Sequence, residues 1–305
     1  MHTPDYQSLI DPATWRFIDA TNACYPADTS RLTIAEQRDI YDRMCRTFHR
    51  GHPAGVVATD GHLGGVRVRT YAVATASGTL IYLHGGGFVV GGLDSHDDVC
   101  AEICAATGLR VVSVDYRLAP EHRHPAAYDD ALAATRAAAW EGPLLLAGDS
   151  AGGTLAASVA HALRGQIAGL VLIYPGLGGD RGRGSYLTHA QAPMLTRDDV
   201  LFYGAIRHAG AEPDDDPTAA VLHDIDFTGL PPAVIFSAEC DPLADDGRDY
   251  RDAVCAAGGQ ADWVLERGLV HGHLRARVTV PRAAASFVRI TAALAGLAAG
   301  RWPVV

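Results

Sequence analysis

The 305-residue chain lacks any excess of positive charge: 25 Lys and Arg stand against 35 Asp and Glu, a formal net charge of −10. That sign suits neither phosphate backbones nor anionic headgroups, so nucleic acid and membranes are not expected partners. Long uninterrupted apolar runs are missing too. The longest apolar stretch, 283–299, contains Arg289 and falls short of a membrane span, so it reads as a buried terminal helix. The opening residues MHTPDYQSLIDPATW carry neither a basic region nor an apolar core. No secretory signal is expected from them, and the cytoplasm is the expected compartment. The six cysteines, at 24, 45, 100, 104, 240 and 255, form no C-x-x-C pair. A chain of this size needs no disulfide staples, so buried free thiols are expected.

What is present is enough apolar material, 48% of residues, to fill a large core. Apolar runs of strand length alternate with longer amphipathic segments, the pattern of a mostly parallel sheet covered by helices. The expected strands are 55–59, 66–72, 79–83, 110–114, 144–147, 167–173, 233–237 and 261–265. Helices are expected near 94–106, 126–140, 153–164, 245–257 and 280–297. The fold class is therefore α/β with eight strands and no internal repeat. Two stretches break the alternation. Residues 1–51 carry two helical patterns, 15–20 and 34–49, before any strand. Residues 176–230 hold a glycine-rich segment, a helix over 196–208 and the acidic loop 212–217. Insertions at the strand ends of such a sheet form lids, so both are expected to cap a site on a catalytic domain spanning 52–305.

The chemistry begins at Gly148-Asp149-Ser150-Ala151-Gly152, a G-x-S-x-G pentapeptide between the run Leu144-Leu145-Leu146-Ala147 and a helical stretch. A strand that turns sharply into a helix presents the serine hydroxyl at the sheet edge, and only glycine at the flanks lets the backbones close up. Ser150 then sits where helix N–H groups favour developing negative charge. A glycine turn with an incidental serine is the bland alternative. The second element, His84-Gly85-Gly86-Gly87, follows the strand 79–83 directly. A glycine run of this kind aims successive N–H groups at an oxyanion, so the expected donors are Gly86, Gly87 and Ala151. A phosphate cradle is the competing reading, but no G-x-x-x-x-G-K-[ST] pattern accompanies it. His84 is expected to order the loop.

A serine hydroxyl needs a base, and in this arrangement the acid and then the histidine follow the serine in the chain. Asp241, closest to the end of the strand 233–237, is the expected acid, with Asp245 in reserve. His271 is the expected base because Gly272 lets the loop after the last strand turn and present the imidazole. His273 would then point elsewhere or line the pocket. Phe17, Phe88, Leu195, Phe202 and Tyr203 are further candidates for the pocket wall, with core packing the alternative for each.

HGGGF at 84–88, YRLAPEH at 116–122, GDSAGG at 148–153, DPL at 241–243 and HG at 271–272 resemble the bacterial hormone-sensitive-lipase-like carboxylesterases, also called family IV. The resemblance runs from about residue 55 to the C-terminus. It implies an eight-stranded α/β-hydrolase fold with a helical cap, hydrolysis of small-molecule esters with short to medium acyl chains, and the same triad and oxyanion residues. It implies structural roles for Tyr116, Arg117, Glu121 and Asp130, and makes a homodimer an expectation to test. No metal or cofactor is expected. The family commonly has an aromatic residue where His273 stands, which implies a more polar wall favouring small or polar acyl groups. Three alternatives stay open: an amidase or formamidase using the same triad, a ligand-binding member without turnover, and a scaffold. The presence of His271 weighs against the second, and the ordered set of four elements against the third.

Overall fold

The computed structural model describes residues 4–302 apart from 27–31, 139–141, 211–212 and 214. The end of the helix expected at 126–140 and part of the acidic loop lie outside the described residues. Three helices precede the first strand: α1 (Tyr6–Leu9), α2 (Pro12–Asn22) and α3 (Ile34–Phe48). Their starts are written in the sequence. Asp11 caps α2, its carboxylate accepting the Thr14 N–H at 2.8 Å, with Pro12 at the first helical position. Thr33 and Glu36 form a reciprocal capping box on α3.

The strands β1 (Val57–Leu63) and β2 (Val66–Ala72) form an antiparallel hairpin, followed by β3 (Thr79–Leu83), α4 (Asp97–Thr107), β4 (Arg110–Val114) and α5 (Ala126–Ala137). Then come β5 (Leu144–Asp149), α6 (Ala151–Ala162), β6 (Gly169–Ile173), the short α7 (Ser185–Thr188) and α8 (Arg197–His208). The chain closes with β7 (Ala233–Cys240), α9 (Ala244–Ala256), β8 (Ala261–Val270) and α10 (Pro281–Ala298). The sheet order is β1-β2-β4-β3-β5-β6-β7-β8, parallel from β4 to β8 and antiparallel where β2 meets its two neighbours.

Both faces of the central strands are buried, which is why they read as unbroken apolar runs. In β3, Leu80 and Tyr82 pack with α4 and α10, while Ile81 and Leu83 pack with α5 and α6. Each such side chain contributes roughly 1.5–3 kcal/mol of transfer free energy. The last two strands run further than expected, to Cys240 and Val270 rather than 237 and 265. Their ends break the apolar pattern: a register shift lies between Ala238 and Cys240, Glu266 is buried against Arg289, and Gly268 adopts φ +66°. That extension matters, because it carries Asp241 and His271 to adjacent strand ends.

The cysteine expectation needs correcting in part. All six thiols are free, but only Cys45, Cys100, Cys104 and Cys240 are buried; Cys255, near the end of α9, is exposed, and Cys24, just beyond the end of α2, is half-buried. Among the described residues no helix is long and apolar enough to cross a membrane.

Candidate active site

The turn from β5 into α6 holds Ser150 at φ +53°, a conformation L residues rarely adopt, with its N–H bonded to Ile173 O at 2.9 Å. Glycine on either side is obligatory: a Cβ on Gly148 would strike the Gly152 carbonyl, and one on Gly152 would strike the Leu83 carbonyl. The backbone thereby lifts the hydroxyl above the strand end at the start of a twelve-residue helix.

The three residues expected to cooperate come together across 121 and 30 positions of chain. His271 Nε2 lies 2.9 Å from Ser150 Oγ, and His271 Nδ1 lies 2.7 Å from Asp241 Oδ2. Asp241 is wholly buried, and its other oxygen accepts the Leu243 N–H at 2.9 Å, so the carboxylate cannot rotate away. Because a carboxylate only accepts, Nδ1 carries the proton and Nε2 is left as the acceptor facing the serine. Tyr174 packs beside the imidazole at 4.8 Å between ring centroids. Asp245, the reserve acid, is elsewhere: it accepts the Ser185 N–H and pairs with Arg248.

The loop 84–90 faces this group. Among the described residues the N–H groups of Gly86, Gly87 and Ala151 meet no protein acceptor, and all three residues line the cavity that Ser150 and His271 also line. Asp149 anchors the loop from below, accepting the Gly85 N–H at 3.0 Å and the Tyr82 hydroxyl at 2.8 Å. Burial pushes its carboxyl up, but the neighbouring His96 and these hydrogen bonds outweigh burial and hold it below the usual range. His84 stacks on Tyr116 at 4.2 Å and donates from Nδ1 to Gly85 O at 2.9 Å; burial, with His96 nearby, pushes its imidazole down to about 3, so it is a neutral spacer. The Tyr116 hydroxyl donates to His84 O at 2.6 Å. Arg117 pairs with Asp130, and Glu121 takes both Arg38 Nη groups.

The cavity encloses about 1160 Å³ and is walled by α2, α3 and α8 together with the strand-end loops. Phe88, Leu195, Phe202 and Tyr203 are on its wall. Two expected wall residues are not. Phe17 is 3% exposed and packs its ring edge-on against Phe48 among Ile10, Ile18 and Leu269, because the apolar face of α2 turns toward the sheet edge. His273 is wholly buried, since the turn at Gly272 (φ +75°) points it inward, opposite His271. Its Nδ1 donates to Val270 O at 3.1 Å, Nε2 accepts from the Ser286 hydroxyl at 3.2 Å, and Tyr174 packs edge-on against it. The polar acyl wall expected from His273 therefore does not exist. Other wall residues, Tyr41 and Arg275 among them, escaped the sequence reading. Tyr41 follows Ile34 by seven positions on α3, a stripe that reads equally as core. Nothing in the sequence marks Arg275, whose guanidinium donates to Ser95 O and the Tyr41 hydroxyl.

The burial of His273 has a measurable consequence. Desolvation pushes its imidazole down to about 4, against about 6.5 in an unfolded chain. Below pH 6.5 the unfolded chain takes up a proton that the folded chain refuses, so stability is lost as pH falls from 6.5 toward 4. By pH 5 this amounts to about 2 kcal/mol. His273→Gln, which cannot ionise, is expected to shrink the drop in unfolding free energy between pH 8 and pH 5 by about that amount in urea titrations. An undiminished drop would mean the imidazole is not held neutral.

A nucleophile elbow, a histidine bridging serine and buried aspartate, and a facing glycine loop on this sheet together define a hydrolase of the α/β class. Comparison with known proteins agrees. The protein-family model described as the alpha/beta hydrolase fold matches residues 80–275, and the chain belongs to that family, within its bacterial hormone-sensitive-lipase-like carboxylesterase branch, family IV. It is similar to Carboxylesterase NlhH of Mycobacterium tuberculosis (strain CDC 1551 / Oshkosh), 39% identical over 234 residues, covering 70% of this chain and 72% of the relative. It is also similar to Esterase LipI of Mycobacterium tuberculosis (strain ATCC 25618 / H37Rv), 36% identical over 308 residues and covering 92% and 93%. A solved esterase from the bacterial hormone-sensitive lipase family superposes with a TM-score of 0.84 at 29% identity, covering 93% of this chain and 98% of that one.

Proposed function

We propose that the protein is a serine carboxylesterase acting on small-molecule esters of short to medium acyl chain, with Ser150 as nucleophile, His271 as general base and Asp241 as the carboxylate that orients it. The observation that carries this reading is the continuous chain of hydrogen bonds Ser150–His271–Asp241 opening onto a cavity lined by three N–H groups that meet no acceptor among the described residues. His271 Nε2 takes the hydroxyl proton as Oγ attacks the ester carbonyl. The N–H groups of Gly86, Gly87 and Ala151 hold the oxyanion, and the imidazolium protonates the departing alcohol. Water, activated by the same histidine, attacks the acyl-serine, the acid leaves, and the serine proton is restored.

In this reading α2, α3 and α8 form the cap, and Phe88, Leu195, Phe202 and Tyr203 hold the substrate. The relatives named above are carboxylesterases and esterases by name, which favours ester over amide bonds. The test is a p-nitrophenyl ester series from acetate to laurate, run beside a matching anilide. Turnover peaking at short to medium chains, with the anilide at least about 100-fold slower, is expected from the poorer amine leaving group. Comparable anilide turnover would make the protein an amidase, and folded protein with no turnover of any ester would sink the proposal.

A further inference from the structure

We propose that Arg207, on α8, is a positioning residue for the oxyanion loop: it clamps the Phe88 ring and through it fixes the direction of the Gly87 N–H. The inference deepens the oxyanion assignment above and rests on it. Gly86, Gly87 and Phe88 have φ of +132°, +60° and +65° in succession. The two glycines accept such angles freely, but an aromatic residue holds a left-handed backbone only where its surroundings over-determine it. Rotation of Phe88 back to negative φ would swing the Gly87–Phe88 peptide and so displace Gly87 itself, whose own N–H stands in the peptide one step earlier.

The restraint comes from outside the sheet. The Arg207 guanidinium sits over the Phe88 ring, 3.7 Å from its centroid. Arg207 is only 4% exposed, and its fork is fixed further, with Nη1 donating to Ala219 O at 2.9 Å and Nη2 to His124 Nδ1 at 3.2 Å. A buried cation over a ring is held more firmly than an exposed one. One helical turn earlier, Tyr203 presses on the same loop: a Cβ at Gly87 would lie 2.6 Å from its Cγ. Two residues of one helix face thus bear on consecutive residues of the loop. From the opposite side, Arg38 of α3 donates to Val89 O at 2.8 Å and to Ala119 O at 2.9 Å, while Ala119 N–H donates to Phe88 O at 2.8 Å. The loop is gripped between α3 and α8, and Arg207 is the grip that reaches Phe88.

A donor displaced from the oxyanion costs turnover more than substrate binding, and that separates positioning from general packing. Arg207→Met is expected to lower kcat for p-nitrophenyl acetate about 10- to 100-fold with KM changed less than about threefold. Affinity for a short-chain trifluoromethyl ketone, which forms an oxyanion on Ser150, should fall by the same factor, and affinity for acetate should not. Arg207→Lys, keeping the charge but not the flat fork, should recover part of the loss. In a Phe88→Leu background Arg207→Met should add less than about a threefold effect, because the path through the ring is already cut. Equal weakening of ketone and acetate, an unchanged kcat, or full additivity with Phe88→Leu would overturn the inference. Should Arg207→Met fail to fold, Phe88→Leu carries the test, since it leaves the contacts of Arg207 to Ala219 and His124 in place. A kcat loss confined to turnover then supports the inference, and an unchanged kcat overturns it. A wild-type protein without esterase activity would instead defeat the proposed function itself.

Discussion

Ser150→Ala is expected to lower kcat toward p-nitrophenyl acetate by at least about 10⁴-fold while leaving the unfolding midpoint nearly unchanged. The first half follows from chemistry. Without Oγ there is no acyl-enzyme, and the remaining N–H groups can only assist attack by water. The second half follows from structure. What holds the turn is backbone: the Ser150 N–H bonded to Ile173 O, and the contacts of Gly148 and Gly152 with their neighbours, none of which involves the hydroxyl. Among the described residues the side chain itself is bonded only to His271. Steady-state kinetics together with a thermal or urea melt check both halves, and a variant that loses activity by losing its fold would not count in favour.

Asp241→Asn is expected to cost about 10³- to 10⁴-fold in kcat with a small change in KM, although it removes no reacting atom. Asparagine is nearly isosteric, and its carbonyl oxygen can keep the Leu243 N–H that Asp241 Oδ1 now accepts. Its amide group would then face His271 Nδ1, where the carboxylate stands at 2.7 Å. A donor there stabilises the tautomer with the proton on Nε2, which points a hydrogen at Ser150 Oγ instead of a lone pair. The imidazolium formed during turnover also loses its buried counter-charge. Kinetics on folded Asp241→Asn, with Asp245→Asn as control, decide the assignment: Asp245 is engaged with Ser185 and Arg248, so its variant should retain activity.

Several parts of this arrangement were legible in the sequence because local chemistry dictates them. Strands β3 and β4 begin and end where their apolar runs do, since a strand covered on both faces can hold little else, whereas β2 is marked by alternation, buried Val66 and Val68 against Arg67 and Arg69. The elbow at Ser150 and the glycine loop at Gly86 and Gly87 are readable because no residue other than glycine fits at those positions. The ends of β7 and β8 were not readable. A bulge, the buried Glu266 and the left-handed Gly268 disguise strand as loop, and each makes sense only beside partners distant in the chain, such as Arg289.

The cavity wall was the least legible part. Phe17 and Tyr203 are both aromatics on amphipathic helices, yet one packs against Phe48 and Leu269 and the other leans over Gly87. Which face a helix shows to a cavity depends on how it docks, and hydrophobic periodicity fixes the face without naming what it meets. His273 misled for a related reason: two residues from His271 in a tight turn, it points the opposite way, into Val270 and Ser286. The grip of Arg207 on Phe88 joins residues 119 positions apart, and neither residue type at its position signals the other.

In the proposed mechanism one nucleophile, Ser150, is activated by His271. The most direct measurement is the intact mass and peptide map of the protein after incubation with a p-nitrophenyl alkylphosphonate, which transfers its phosphonyl group to an activated serine and releases p-nitrophenol. One adduct per chain is expected, on the peptide containing Ser150, appearing with stoichiometric p-nitrophenol and vanishing in His271→Ala. An adduct on another residue, or rapid labelling of Ser150 that survives loss of His271, would contradict it.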